Sequence, residues 1–166
     1  MLTVHKNKLI IDWEESNFII QEFVPKGLFE YYGEKCVWFL DYNHLKAIQF
    51  IREYFDTPMT VNNWHKGGNL QFRGFRTDEF YYQFTGNKTY KSIRKGKLSQ
   101  HRFGKATDFN LAGITPDETR QKMFDNQKIF IDAGITTVEH EAYSKTWVHG
   151  DSRNTGDSEK LMIVKP

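Results

Sequence analysis

Residues 99–108 read Ser-Gln-His-Arg-Phe-Gly-Lys-Ala-Thr-Asp, and some forty residues later the chain reads Thr146-Trp147-Val148-His149-Gly150-Asp151. The spacing inside the first segment constrains the fold more than any other feature. Along an extended strand the side chains alternate between faces, so residues seven apart point opposite ways. His101 and Asp108 therefore share a site only if the chain bends between them. Gly104 sits where that bend is needed, and glycine accepts backbone angles that other residues resist. Ala106 is small enough for the chain to pack closely beside such a site.

With His149, these residues offer two imidazoles and one carboxylate. That donor set suits zinc, and three protein ligands leave a fourth position open for water. An open zinc site is a catalytic arrangement. A bare histidine and aspartate around a turn are more often unrelated surface residues, but this pair is not bare. The pattern Ser-x-His-x-x-Gly-x-Ala-x-Asp resembles the first metal motif of the zinc D-Ala-D-Ala carboxypeptidase family, which has the Hedgehog/DD-peptidase fold. Its five fixed positions would match by chance in roughly one chain in ten thousand of this length. Trp147-Val148-His149-Gly150-Asp151-Ser152-Arg153 is similar to that family's closing aromatic-x-His-x-Asp-x-Arg strand. The resemblance implies that His101, Asp108 and His149 are the metal ligands and zinc the cofactor.

Less specific matches cover much of the remaining chain. Phe18 to Phe23 resembles the entry segment of phage and bacterial members, Asn43 to Phe55 their first helix, and Pro58 to Trp64 the strand after it. Arg73-Gly74-Phe75-Arg76 stands where many members carry a Ser-Gly-Tyr-Arg-like turn whose final arginine binds substrate. Arg76, with its planar fork for a peptide carboxylate, and Ser99 of the first motif are the expected substrate-binding residues.

One position departs from the family. Zinc peptidases use a carboxylate to take a proton from water and pass it to the leaving amine. Many members place it three residues before the last histidine, where this chain has Thr146, which does not titrate. Glu139 and Glu141, two apart on the preceding segment, share one strand face, with His140 on the other. Val138-Glu139 followed by a short turn and Trp147-Val148-His149 is similar to a branch whose glutamate lies further upstream, which ranks Glu139 ahead of Glu141. Asp151 is the third candidate; it faces the same side as His149 and would alternatively orient a ligand histidine. Tyr143 is a further candidate near the metal, and His65 reads as a loop residue rather than a fourth ligand. Phe80, Tyr81, Tyr82 and Phe84 form either a groove lining or ordinary core.

Other elements follow from periodicity and caps. Leu45, Ile48, Ile51, Tyr54 and Phe55 fall at helical spacing, with Asp41 as N-cap and Pro58 as stop. Thr115-Pro116-Asp117-Glu118 is a capping box with proline in the first turn. The helix it opens should run through Met123 and Phe124 to about Gly134, with a break at Asp125-Asn126. Strands are expected over Met59–Trp64, Glu79–Phe84, Thr136–Glu141 and Trp147–Arg153, with Leu161–Val164 as a last edge strand. The result is an α+β fold, a small and mostly antiparallel sheet with helices packed on one side. No repeat or linker interrupts the chain, so residues 1–166 form one expected domain, long enough to bury a core.

Composition narrows the partners. The net charge of +2 favours none in particular, and the single Cys36 excludes an internal disulfide and a multi-cysteine zinc site. Lys88, Lys91, Arg94, Lys95, Lys97, Arg102 and Lys105, with Tyr90 between them, form an acid-free run that suggests nucleic acid on its own. Beside the metal motifs it reads better as a basic rim for anionic peptides. No stretch approaches the roughly twenty apolar residues of a membrane span. Met1 to Asp12 holds no apolar run of signal-peptide length. The expectation is therefore synthesis in the cytoplasm and action at the bacterial cell wall, as in a phage lysis or virion enzyme. What the resemblance implies is a zinc peptidase that hydrolyses peptidoglycan stem peptides, as a D,D- or L,D-carboxypeptidase or endopeptidase; a monomer is expected. The rival is a non-catalytic zinc-containing binding domain on the same fold.

Overall fold

Two tight turns build the first sheet. Lys6 and Asn7 have positive φ (49° and 67°), as do Asp12 and Trp13 (52° and 76°). Consecutive residues in this region close two-residue hairpins whose twist matches that of the flanking strands. They join β1 (Leu2–His5), β2 (Lys8–Ile11) and β3 (Glu14–Ile19) into an antiparallel sheet in the order β1-β2-β3. The computed structural model describes residues 1–84 and 98–165, apart from the side chains of residues 82–84. Lys88, Tyr90, Lys91, Arg94, Lys95 and Lys97 of the basic run lie outside the described residues, as do the side chains of Tyr82 and Phe84.

A short α1 (Lys26–Tyr32) and a 3-10 segment (Gly33–Phe39) lead to α2 (Tyr42–Tyr54). The Asp41 side chain accepts from the His44 N–H, capping α2 as its sequence indicates. This helix buries His44, Leu45, Ala47, Ile48 and Ile51 and packs on β2 and β3.

The second sheet carries the chemistry. Its order is β4 (Met59–Thr60), β5 (Ala106–Leu111), β7 (Val148–Asp151), β6 (Thr137–Glu139), β8 (Met162–Val164). All neighbours are antiparallel except β6 and β8, which run parallel. The chain is thus α+β, with five α-helices and two sheets among the described residues. α4 (Pro116–Asp125) starts at the Thr115/Glu118 capping box and stops at Asn126, and α5 (Gln127–Ala133) ends at the left-handed Gly134. Phe109, Met123, Phe130, Ile135 and Val138 join the face of α2 in one core.

Two expectations need correction. Residues Glu79–Phe84, expected as a strand, belong to α3 (Asp78–Phe84). Their aromatic content favours a strand by propensity, but Asp78 and Glu79 in the first turn complement the helix dipole. The strand expected over Met59–Trp64 stops at Thr60, and Trp64–Lys66 is a 3-10 turn. Among the described residues no helix is long and apolar enough to cross a membrane.

Candidate metal centre

The bend that the sequence requires is made at Gly104. His101 lies on a 3-10 turn (Gln100–Phe103) that ends at Gly104 with φ 66°, and β5 begins two residues later. A Cβ at Gly104 would stand 2.3 Å from the Phe39 carbonyl oxygen, so close approach as well as conformation calls for glycine.

Strand register does the rest. β5 and β7 pair Asp108 with His149 and Ala106 with Asp151. Alternation puts these four residues on one face, while Phe109 and Val148 point into the core. Three ligand atoms then converge. His101 Nε2 lies 3.2 Å from His149 Nδ1 and 3.4 Å from Asp108 Oδ1, and His149 Nδ1 lies 2.7 Å from the same Asp108 oxygen. All three residues are buried, and they form a group that could hold a metal ion.

The outer hydrogen bonds set the tautomers. His101 Nδ1 lies 2.7 Å from the Gly74 carbonyl oxygen, which only accepts, so Nδ1 carries the proton and the Nε2 lone pair faces the cluster. His149 Nε2 lies 3.2 Å from Asp151 Oδ2, which likewise leaves Nδ1 as the inward atom. Asp151 is fully buried and is held by the Arg153 guanidinium, whose Nε donates to Oδ1 at 2.9 Å and Nη2 to Oδ2 at 2.5 Å. Arg76 Nη2 donates to Asp108 Oδ2 at 2.5 Å and its Nε to the Phe72 carbonyl at 2.6 Å.

These contacts concentrate demand for positive charge at one point. Burial favours the neutral form of His149, but hydrogen bonds to Asp108 and Asp151 outweigh it and push the pKa up to about 9. Burial and the Arg76 charge pull His101 down to about 4. Burial opposes ionisation of Asp108 and Asp151. Even so, His101 and Arg76 hold Asp108 well below the usual carboxylate range, and His149 and Arg153 bring Asp151 to about 2. The two carboxylates are paired with Arg76 and Arg153, and the raised His149 pKa marks the inward proton that a metal ion held by this group would displace. The donor set and its protonation chemistry fit a divalent metal.

The cluster forms the floor of a cleft of about 950 Å³. Arg76, Ser99 and Glu139 line it, together with Tyr81, Tyr143 and Trp147. Glu139 ends β6 half-buried, and burial raises its carboxyl above the ordinary value, with His149 opposing and Asp108 adding to the rise. Glu141 is exposed in the following turn and is not part of the cleft wall. Asp151 sits behind His149 with its oxygens engaged, as an orienting group. Thr146 is exposed, its carbonyl accepting from Asn110 Nδ2 at 2.7 Å. His65 is on the Trp64–Lys66 turn and outside the metal-binding group. Arg102 pairs with Asp78, and Lys105 lies 3.7 Å from Asp41.

One residue near the site carried no recognisable sequence signal. Arg120 on α4 is 4% exposed and donates to the carbonyls of Ser144 and Trp147 in the turn between β6 and β7. Searches for matching family models, curated proteins and solved structures find none for this chain.

Proposed function

We propose that this chain is a zinc-dependent peptidase acting on bacterial peptidoglycan stem peptides, of the kind the two metal motifs resemble. The observation that carries the reading is the triangle of His101 Nε2, Asp108 Oδ1 and His149 Nδ1, with edges of 3.2, 3.4 and 2.7 Å. A tetrahedral zinc with bonds of about 2.0–2.1 Å needs ligand atoms roughly 3.3 Å apart, which the two edges at His101 match, while the shorter His149–Asp108 contact is a hydrogen bond that the ion would open. Zinc bound by these residues supplies Lewis acidity toward a carbonyl oxygen and toward water.

The chain's own groups supply the rest. Glu139, on the cleft wall, takes a proton from the attacking water on its carboxylate and returns it to the leaving amine. Its half-buried position favours holding that proton between the two transfers. Asp151 keeps the His149 ring turned with Nδ1 inward. Arg76 and Ser99 bind the peptide, the guanidinium toward its carboxylate, and Tyr143 and Trp147 line the cleft beside them.

Digestion of purified peptidoglycan, with mass spectrometry of the released fragments, tests the reading. Zinc-loaded wild type is expected to release fragments whose masses name the bond cleaved. Glu139→Gln should retain zinc and lose activity by about 10²–10⁴-fold, while Glu141→Gln stays near wild type. One observation, Thr146 at the common position of the acid, favours a zinc-containing binding domain instead. No cleavage of several wall chemotypes by a protein holding one zinc would decide for that alternative.

A further inference from the structure

The turn that joins Glu139 to His149 contains an unusual anchor. Residues 140–147 have no regular structure, yet Ser144 within them is fully buried. Its hydroxyl and carbonyl, and the carbonyl of Trp147, surround one guanidinium nitrogen, Arg120 Nη2, whose two N–H groups serve all three, one of them shared. The Ser144 Oγ and Trp147 O contacts are 2.9 and 2.7 Å. Arg120 Nη1 donates to Asp117 Oδ1 at 2.9 Å, one helical turn earlier on α4.

Burying a guanidinium is costly unless its donors are satisfied; Nη1 and Nη2 of Arg120 find acceptors, while its buried Nε has none among the described residues. An apolar side chain would hold a surface turn against a helix without that cost. What arginine adds is direction: a planar fork donates to carbonyls only along fixed lines. Here those lines fix the turn at Ser144 and Trp147. Glu139 lies five residues before the first, and His149 two residues after the second. Ser144 favours the ionised form of the Glu139 carboxylate, and the charge of Arg120 acts on the same group. α4 is itself fixed, by its capping box and by packing on β5 and β7.

We propose that Arg120 is a positioning residue that, through Ser144, fixes the β6–β7 turn so that Glu139 and His149 face the same cleft at a set separation. The catalytic role of Glu139 rests on the peptidase reading; the positioning itself does not.

The test compares wild type with Arg120→Lys, Ser144→Ala and Ser144→Thr. It uses steady-state kinetics on a stem peptide, zinc content, and crystal structures of the zinc-loaded proteins. Ser144→Ala removes one hydroxyl and serves should Arg120→Lys fold poorly. In both, kcat is expected to fall about 10- to 100-fold, as for an Ångström-scale misplacement, with KM within about twofold and one zinc retained. Ser144→Thr, which restores a hydroxyl, should recover most of kcat. In the crystal structures Glu139 should leave its wild-type place in both damaged variants. A rise in KM at unchanged kcat, or Glu139 unmoved in both variants, would overturn the inference. A wild type without peptidase activity whose variants still displace Glu139 would defeat the peptidase reading and leave the positioning standing.

Discussion

Asp151 shows how far a single side chain reaches in this site. Buried against His149 and clasped by Arg153, it cannot serve the cleft directly, but it decides which nitrogen of His149 faces inward. Asp151→Asn is expected to weaken metal binding about 10- to 100-fold, read by competition with a chelator; an unchanged affinity would remove Asp151 from the site. The three ligand candidates were legible because the metal motifs are dense and local. Arg120 was not. A lone arginine on an amphipathic helix looks solvent-facing until the turn that it receives is in place, and that turn arrives some twenty residues later.

At the scale of elements, the corner at Gly104 and the start of α4 are the joints that hold the site. Gly104→Ala combines a left-handed backbone with a Cβ 2.3 Å from Phe39 O. The expected loss is about 2–3 kcal/mol, seen as a lower urea midpoint; a midpoint equal to wild type would mean that the corner relaxes freely. Thr115→Ala removes the side chain that accepts from Glu118 N–H and should cost about 1 kcal/mol by the same measurement. Both joints were readable in the sequence, as were the Asp41 cap, the break at Asn126 and the β6–β7 hairpin, because each depends on residues close together in the chain. α3 was misread because its aromatics have strand propensity, which outweighed the local signal of Asp78 and Glu79 in its first turn; in the fold Phe80 rests on Phe72 and beneath the Arg76 guanidinium. The first sheet was not foreseen, a single sheet being expected, since Lys6-Asn7 and Asp12-Trp13 carry none of the Asn-Gly or Asp-Gly signals of tight hairpins.

Across the whole molecule, α2 lies on the first sheet and reaches the second through a buried histidine. The His44 ring nitrogens are 2.8 Å from Ser152 Oγ and 2.9 Å from Thr107 Oγ1, on the side of β5 away from the metal ligands. Burial is the main cause that brings its pKa from 6.5 down to about 3, with Asp151 opposing and His101, His149 and Lys105 adding to the fall. A base with a depressed folded pKa binds fewer protons folded than unfolded. Its contribution is complete above the unfolded pKa of 6.5 and is lost progressively as pH falls toward 3. Between pH 6.5 and 5 the loss should approach about 2 kcal/mol. Denaturant titrations at several pH values should show this slope, and His44→Gln, uncharged at all of them, should reduce it, leaving the part that His101 contributes in the same window. An equal slope in both proteins would assign the acid sensitivity elsewhere.

The most direct test of the account is the zinc stoichiometry of the purified chain and of His149→Ala, measured by elemental analysis after dialysis against metal-free buffer. The account predicts one zinc per chain in wild type and essentially none in the variant, with the fold retained by circular dichroism. A wild type that binds no zinc, or a variant that binds it equally well, would contradict the metal centre on which the function is built.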